Sequence, residues 1–140
     1  MSSKLPKRGK DLIITHEASA QPLAPYCPDL DHWAQSWLVE ERDLVPGQRI
    51  VELFKPFLLH LLAQGLASKT VRRHYDHMWM LGGEVIRRRQ QDPHLRRLPV
   101  EKVTIALLEE DGGPLIWPRI SESEQDAFDA TCRKLFRFLI

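Results

Sequence analysis

Apolar side chains recur along this chain at helical spacing, and the recurrence divides it into a series of amphipathic segments. Trp33, Trp37 and Leu38 fall at that spacing behind Asp31, a residue suited to an N-cap, so a first helix is predicted over about 31–42. The stretch from Asp43 to Gly47 breaks it. A second helix is predicted over about 46–64, with Pro46 in its first turn, where a missing N–H costs little. Ile50, Val51, Phe54, Phe57, Leu58, Leu61 and Leu62 form its apolar face, and Arg49, Glu52, His60 and Gln64 lie opposite. Pro56 inside this run predicts a kink, and Gly65 supplies the stop.

Ser68 reads as the N-cap of a third helix reaching about Arg89. Its inner stripe is Val71, Tyr75, Met78, Gly82, Val85 and Ile86, with Leu81 at the edge, and Lys69, Arg73, Asp76 and Arg87 lie on the other side. Each glycine of the Gly82-Gly83 pair costs such a helix about 1 kcal/mol against Ala, so the pair predicts either the close approach of a neighbouring helix at Gly82 or a bend there. Pro93 and Pro99 bracket a connector, and residues 100–110 read as a short helix, with VTIALL equally readable as a strand. Asp111-Gly112-Gly113-Pro114 is a turn. Ser121 and Glu124 make a capping-box pattern ahead of a last helix whose stripe is Phe128, Cys132, Leu135 and Leu139. The expected fold is all-α, a small bundle of four to five helices over residues 31–140, preceded by an irregular basic arm over residues 1–30 in which Leu12 to Ile14 is a short strand or docks on the body.

Composition agrees with this picture without sharpening it. Of 140 residues, 43% are hydrophobic and 28% charged, the balance of a soluble globular chain, and no apolar run approaches the ~20 residues of a membrane span. The basic N-terminus lacks a following signal-type apolar segment, so a cytoplasmic protein is expected. Cys132 sits in an apolar stripe and reads as a buried thiol; the role of Cys27 stays open, and reducing conditions disfavour a disulfide between them. Charge changes the picture more. The net charge is only +1, yet residues 66–99 hold eight Lys and Arg against three Asp and Glu. A local excess of this kind matters more for phosphate binding than the total.

The segment FKPFLLHLLAQGLASKTVRRHYDHMWMLGGEVI, from Phe54 to Ile86, resembles the opening helical pair of tyrosine recombinase (phage integrase) core-binding domains. The shared pattern is an apolar helix ended by a glycine turn (Gly65), then Ser68-Lys69-Thr70, then a helix with a central tyrosine, Tyr75. The ending EQDAFDATCRKLFRFLI is similar to the family's last domain helix, and the likeness covers about residues 45–140. The resemblance implies a SAM-like, core-binding type of bundle. It does not extend to the family's catalytic domain, which would begin where this sequence ends, so cleavage and religation are not expected. Neither Tyr26 nor Tyr75 stands in the nucleophile's place.

Within that resemblance, Ser68, Lys69, Thr70, Arg72, Arg73, Arg87, Arg88, Arg96 and Arg97 are the candidate DNA contacts, with Arg89 in the same basic set. Forked guanidinium groups and a helix start both suit phosphate oxygens. Duplex DNA is the expected partner, and an accessory role beside a recombinase of a mobile element is the expected function. The alternatives are a protein-interaction module of the same fold and a recombinase remnant without function. Phe136, Phe138 and Ile140 widen the apolar arc of the last helix and are the candidate contacts to a recombinase, another partner or a second copy. No cofactor, metal or catalytic residue is expected. His74 and His77 lack a third ligand at a familiar spacing, and Glu109, Glu110 and Asp111 read as a solvated turn. Trp33, Trp37 and Trp79 read as packing residues, while Trp117 is ambiguous between packing and base stacking.

Overall fold

The computed structural model describes residues 23–140, and every element among them is helical apart from one isolated antiparallel bridge between Glu109 and Gly112. A 3-10 turn at Leu30–His32 leads into α1 (Trp33–Ser36), and a second at Glu41–Asp43 into α2 (Leu44–Ala63). Then come α3 (Ser68–Gln91), a 3-10 turn at Leu95–Arg97, α4 (Val100–Ala106) and α5 (Glu122–Leu139). The small all-α bundle expected from the sequence is the observed architecture. The expected strand or docking of Leu12 to Ile14 lies outside the described residues.

One apolar cluster runs through all of these elements. Phe54, Phe57, Leu58 and Leu61 of α2 meet Val71, Tyr75, Met78 and Leu81 of α3, and Phe128, Cys132 and Leu135 of α5 close the third side. Leu81 is fully buried rather than at the edge of its stripe, and Leu23, Cys27 and Leu30 join the same core, so residues 23–30 pack as part of the body. Both cysteines are free thiols. Burial, reinforced by the neighbouring Asp29 carboxylate, pushes the Cys27 thiol up to about 12, and burial raises Cys132 further still.

Several boundaries differ from the sequence reading, each for a local reason. The first helix does not continue to residue 42. It stops after Ser36, and Asp31 lies within the preceding 3-10 turn with no capping bond. The break is held by Asp43, whose buried carboxylate accepts from the amides of Val39 (3.0 Å) and Glu40 (2.9 Å) and from Gln90 Nε2 at the far end of α3 (2.7 and 2.8 Å). Those bonds reward a non-helical backbone at 38–40. Ser68 is the first residue of α3 and Ala67 the cap, so no side chain caps this helix. The segment VTIALL is helical as far as Ala106. Pro46 does sit in the first turn of α2, which is continuous through Pro56 with the proline ring on the exposed side. Gly65 ends the α2 region at φ 73°, a conformation that favours glycine. The capping box of α5 is formed in both directions between Ser121 and Glu124.

Two fastenings fix the helices against one another. Gln125 of α5 accepts from the amides of Ile116 (2.8 Å) and Trp117 (2.9 Å) and donates to the Pro114 carbonyl, pinning the connector after α4. The second is the Trp37 indole, whose N–H edge is set against Gly82 and Gly83 of α3, so closely that a Cβ on Gly82 would overlap the ring. Its Nε1 donates to the Trp79 carbonyl (3.0 Å), while Trp79 Nε1 donates to Ser36 Oγ (2.8 Å). The glycine pair is therefore explained by a close neighbour, an indole rather than a helix.

This contact reverses an ordinary expectation. Gly→Ala inside a helix normally stabilises by about 1 kcal/mol. Gly82→Ala should instead destabilise, by about 1–3 kcal/mol, because the ring has to leave its seat. Urea unfolding of the two proteins checks the sign, and a higher midpoint for Gly82→Ala would refute the packing argument.

Candidate nucleic-acid interface

The basic residues singled out in the sequence fall at two ends of α3, and the structure uses them differently. Toward its C-terminus, Glu84 is buried with its side chain 2% exposed and gathers three guanidinium groups. Arg88 Nε donates to Oε2 at 2.7 Å and Arg87 Nη1 to the same oxygen at 3.3 Å, while Arg119 Nη2 reaches Oε1 at 2.7 Å. Burial alone would raise this carboxyl, but the hydrogen bonds and charges of Arg88 and Arg119 outweigh it and hold Glu84 ionised below the usual range. Arg96 folds back on the end of α3, donating to the carbonyls of Arg89 (3.0 Å) and Gln90 (2.9 Å). Arg89 is buried, with its Nε unpartnered, and burial lowers its pKa against the opposing pull of Asp43. Arg97 is exposed.

The other end of α3 is more open. Lys69, Arg72 and Arg73 are exposed on its first two turns, next to Ser68 and Thr70. Arg72 lies over the Tyr26 ring at 5.5 Å, a cation–π contact that orients the guanidinium without neutralising it. Lys69 and Arg73 form no ion pair among the described residues, and Asp76 one turn on pairs with neither Arg72 nor Arg73.

The structure also brings in two cations outside the basic set read from the sequence. The second half of α5 packs along the start of α3, and there Lys134 and Arg137 border a cavity of about 340 Å³ with Phe57, His60, Gln64 and Phe138. Lys134 and Arg73 both lie close enough to His74 to disfavour its protonation. Lys69, Arg73, Lys134 and Arg137 thus share one end of the bundle. The only sequence signal for this was the i, i+3 spacing of Lys134 and Arg137 on a polar edge of α5. α3 has 24 residues and so spans about 36 Å, which separates this basic end from Arg87, Arg88, Arg96 and Arg97.

The seam between α3 and α5 is closed by three polar side chains. His74 Nδ1 and His77 Nδ1 lie 2.6 and 2.7 Å from the one Thr131 Oγ1. A hydroxyl has one proton and two lone pairs, so at most one ring accepts from it and at least one donates its own Nδ1–H. Burial, helped by Lys134, lowers His74 to about 4, and burial also lowers His77. Of the proposed partner contacts, Phe136 packs against the core, Phe138 rests on Phe57 (5.4 Å) and His60 (4.9 Å), and Ile140 is 76% exposed.

No protein-family model, no curated protein and no solved structure matches this chain.

The histidine seam makes stability depend on pH. Between the lowered folded pKa of His74, about 4, and the unfolded value near 6.5, the unfolded chain binds protons that the folded chain does not. Stability is therefore full above the unfolded value and is lost as pH falls through that window. The urea midpoint should drop from about pH 7 to about pH 5, and a His74→Phe, His77→Phe variant should lose most of that dependence whatever its absolute stability. A midpoint of the unaltered protein that is flat across this range would contradict the assignment. So would imidazole nitrogen spectra showing both rings with an unprotonated Nδ1.

Proposed function

We propose that this chain is a non-enzymatic helical module that binds duplex DNA through the end of the bundle formed by the start of α3 and the second half of α5. This is the role its resemblance to tyrosine recombinase core-binding domains implies, beside a complete recombinase of a mobile element in the cytoplasm. The observation that carries the reading is that Lys69 and Arg73 on the start of α3 and Lys134 and Arg137 on the second half of α5 have no ion-pair partners among the described residues, beside a helix start with no side-chain cap. Unsatisfied first-turn amides and unpaired cations are together what phosphate oxygens require. Ser68, Thr70 and Arg72 complete the proposed contact surface. Arg87 and Arg88 further along α3 and Arg96 in the 3-10 turn beyond it have intramolecular roles, so they contribute less.

The reading excludes strand cleavage by Tyr75. Its ring is buried at 1% exposure, its hydroxyl donates to the Leu58 carbonyl at 2.9 Å, and burial raises its pKa to about 12. A phosphodiester has no path to that oxygen.

A second reading is favoured by the exposure of Phe138 and Ile140 at the end of α5, which suits docking of a recombinase, another partner or a second copy. Light scattering that returns a monomer, with no recombinase retained on the immobilised chain, would discard it.

Fluorescence anisotropy with a duplex oligonucleotide tests the main reading. Affinity should fall steeply as salt rises, because each phosphate contact releases counterions. Lys69→Glu with Arg73→Glu should weaken binding at low salt and reduce the salt slope by about 2, one for each lost contact. Arg96→Gln should change stability more than affinity. No binding at low salt, or a slope insensitive to the Lys69 and Arg73 changes, would defeat the proposal, and so would nicking or relaxation of supercoiled DNA.

A further inference from the structure

A second surface lies on the other side of the molecule and belongs to different chemistry. Between the C-terminal half of α3 and the connector ahead of α5 runs an open groove of about 570 Å³. Trp79, Met80, Ile116 and Ile120 line it, with the Trp37 indole packed beside Gly83. Trp79 is 42% exposed, although its Nε1 is bonded to Ser36, so the exposed part of the ring is apolar.

Arg87 and Arg119 also line this groove, with Glu84 between them. Three guanidinium groups converge on Glu84 while one carboxylate answers them, and both of its oxygens are occupied. The cluster retains an excess of two positive charges, and no other carboxylate within the described residues pairs with it. The side chains of Arg87 and Arg119 are 45% and 49% exposed, and each directs a single described N–H at Glu84. Their remaining donors are open to a ligand. Guanidinium held in place by a buried acid is preorganised to bind a second carboxylate.

We propose that this groove takes an extended peptide segment of a partner protein, with a large apolar side chain seated on Trp79, Met80 and Ile120 and a neighbouring Asp or Glu held by Arg87 and Arg119. Charge complementarity selects an acidic peptide over a basic one. A phosphate backbone fits less well, because it needs cations distributed along a track, whereas here they meet at one point and the rest of the lining is largely apolar. The site is independent of the DNA reading: it shares no residue with Lys69, Arg73, Lys134 or Arg137.

Panning a phage-displayed random dodecapeptide library on the immobilised full chain tests the proposal. The recovered peptides should place Asp or Glu within two positions of Trp, Phe, Leu or Ile. A synthetic peptide of that class should bind about tenfold more weakly to Arg119→Gln, the effect of one lost charge-assisted hydrogen bond. Met80→Glu, which leaves the Glu84 cluster intact and adds a like charge to the groove, should abolish capture while circular dichroism stays helical. The Lys69→Glu, Arg73→Glu variant should bind the peptide as the unaltered chain does. Absence of enrichment, recovery of peptides without acidic residues, undiminished binding to folded Met80→Glu, or displacement of the peptide by a single-stranded oligonucleotide would each overturn it.

Discussion

The seating of the Trp37 indole on Gly82 and Gly83 is the contact that organises the N-terminal half of the molecule. For the ring edge to come this close, and for its N–H to reach a backbone carbonyl of α3, the helix must lack side chains at the point of contact. The glycine pair lowers the intrinsic stability of α3. It is offset by burying a ring that also satisfies its own N–H on the Trp79 carbonyl. Trp79 in turn bonds Ser36, and Ser36 bonds the Trp33 carbonyl, so α1 is tied to the middle of α3 at several points. A four-residue helix has little stability of its own; α1 is positioned by packing on α2, where Ala34 sits against Gly47, together with this attachment to α3.

The remaining alignment comes from buried polar side chains, each satisfied by groups distant in sequence. Asp43 joins the break after α1 to the end of α3, and Gln125 joins the 114–117 connector to α5. Thr131 receives both histidines, and Glu84 receives Arg119 from beyond α4. A buried polar group left unpaired is costly, so each of these side chains penalises arrangements in which its partner is elsewhere. Apolar stripes alone would tolerate sliding of α5 along α3. The Thr131 seam does not, because its hydrogen bonds need both ring nitrogens within reach of one hydroxyl.

The same networks divide the functional surface. Where α3 ends, its arginines are tied to Glu84 and to the carbonyls of Arg89 and Gln90; where it begins, Lys69 and Arg73 have no such ties. The proposed DNA-binding end and the proposed peptide groove therefore follow from one distinction, between cations that have no acid beside them and cations gathered in excess around a buried one. The two proposed surfaces occupy different parts of α3 and so do not compete for the same stretch of helix.

Helix periodicity was legible in the sequence because burial on one face repeats every 3.6 residues. The stripes of α2, α3 and α5, the capping box at Ser121 and the glycine stop at Gly65 are consequences of local chemistry, and all are found where that chemistry puts them. So is the concentration of basic residues between 66 and 99. Tertiary structure decided what local pattern cannot carry. The first helix ends at Ser36 because Asp43 captures backbone amides with help from Gln90, 47 positions away. Ser68 is not a cap, since the cap position falls on Ala67. Arg87 and Arg88 look like free cations until Glu84 is seen to be buried with Arg119, and Lys134 and Arg137 look like dipole partners until α5 is laid against α3. Gln90 for Asp43 and Arg119 for Glu84 are remote in sequence, and there a charge acquires its role from what packing places beside it.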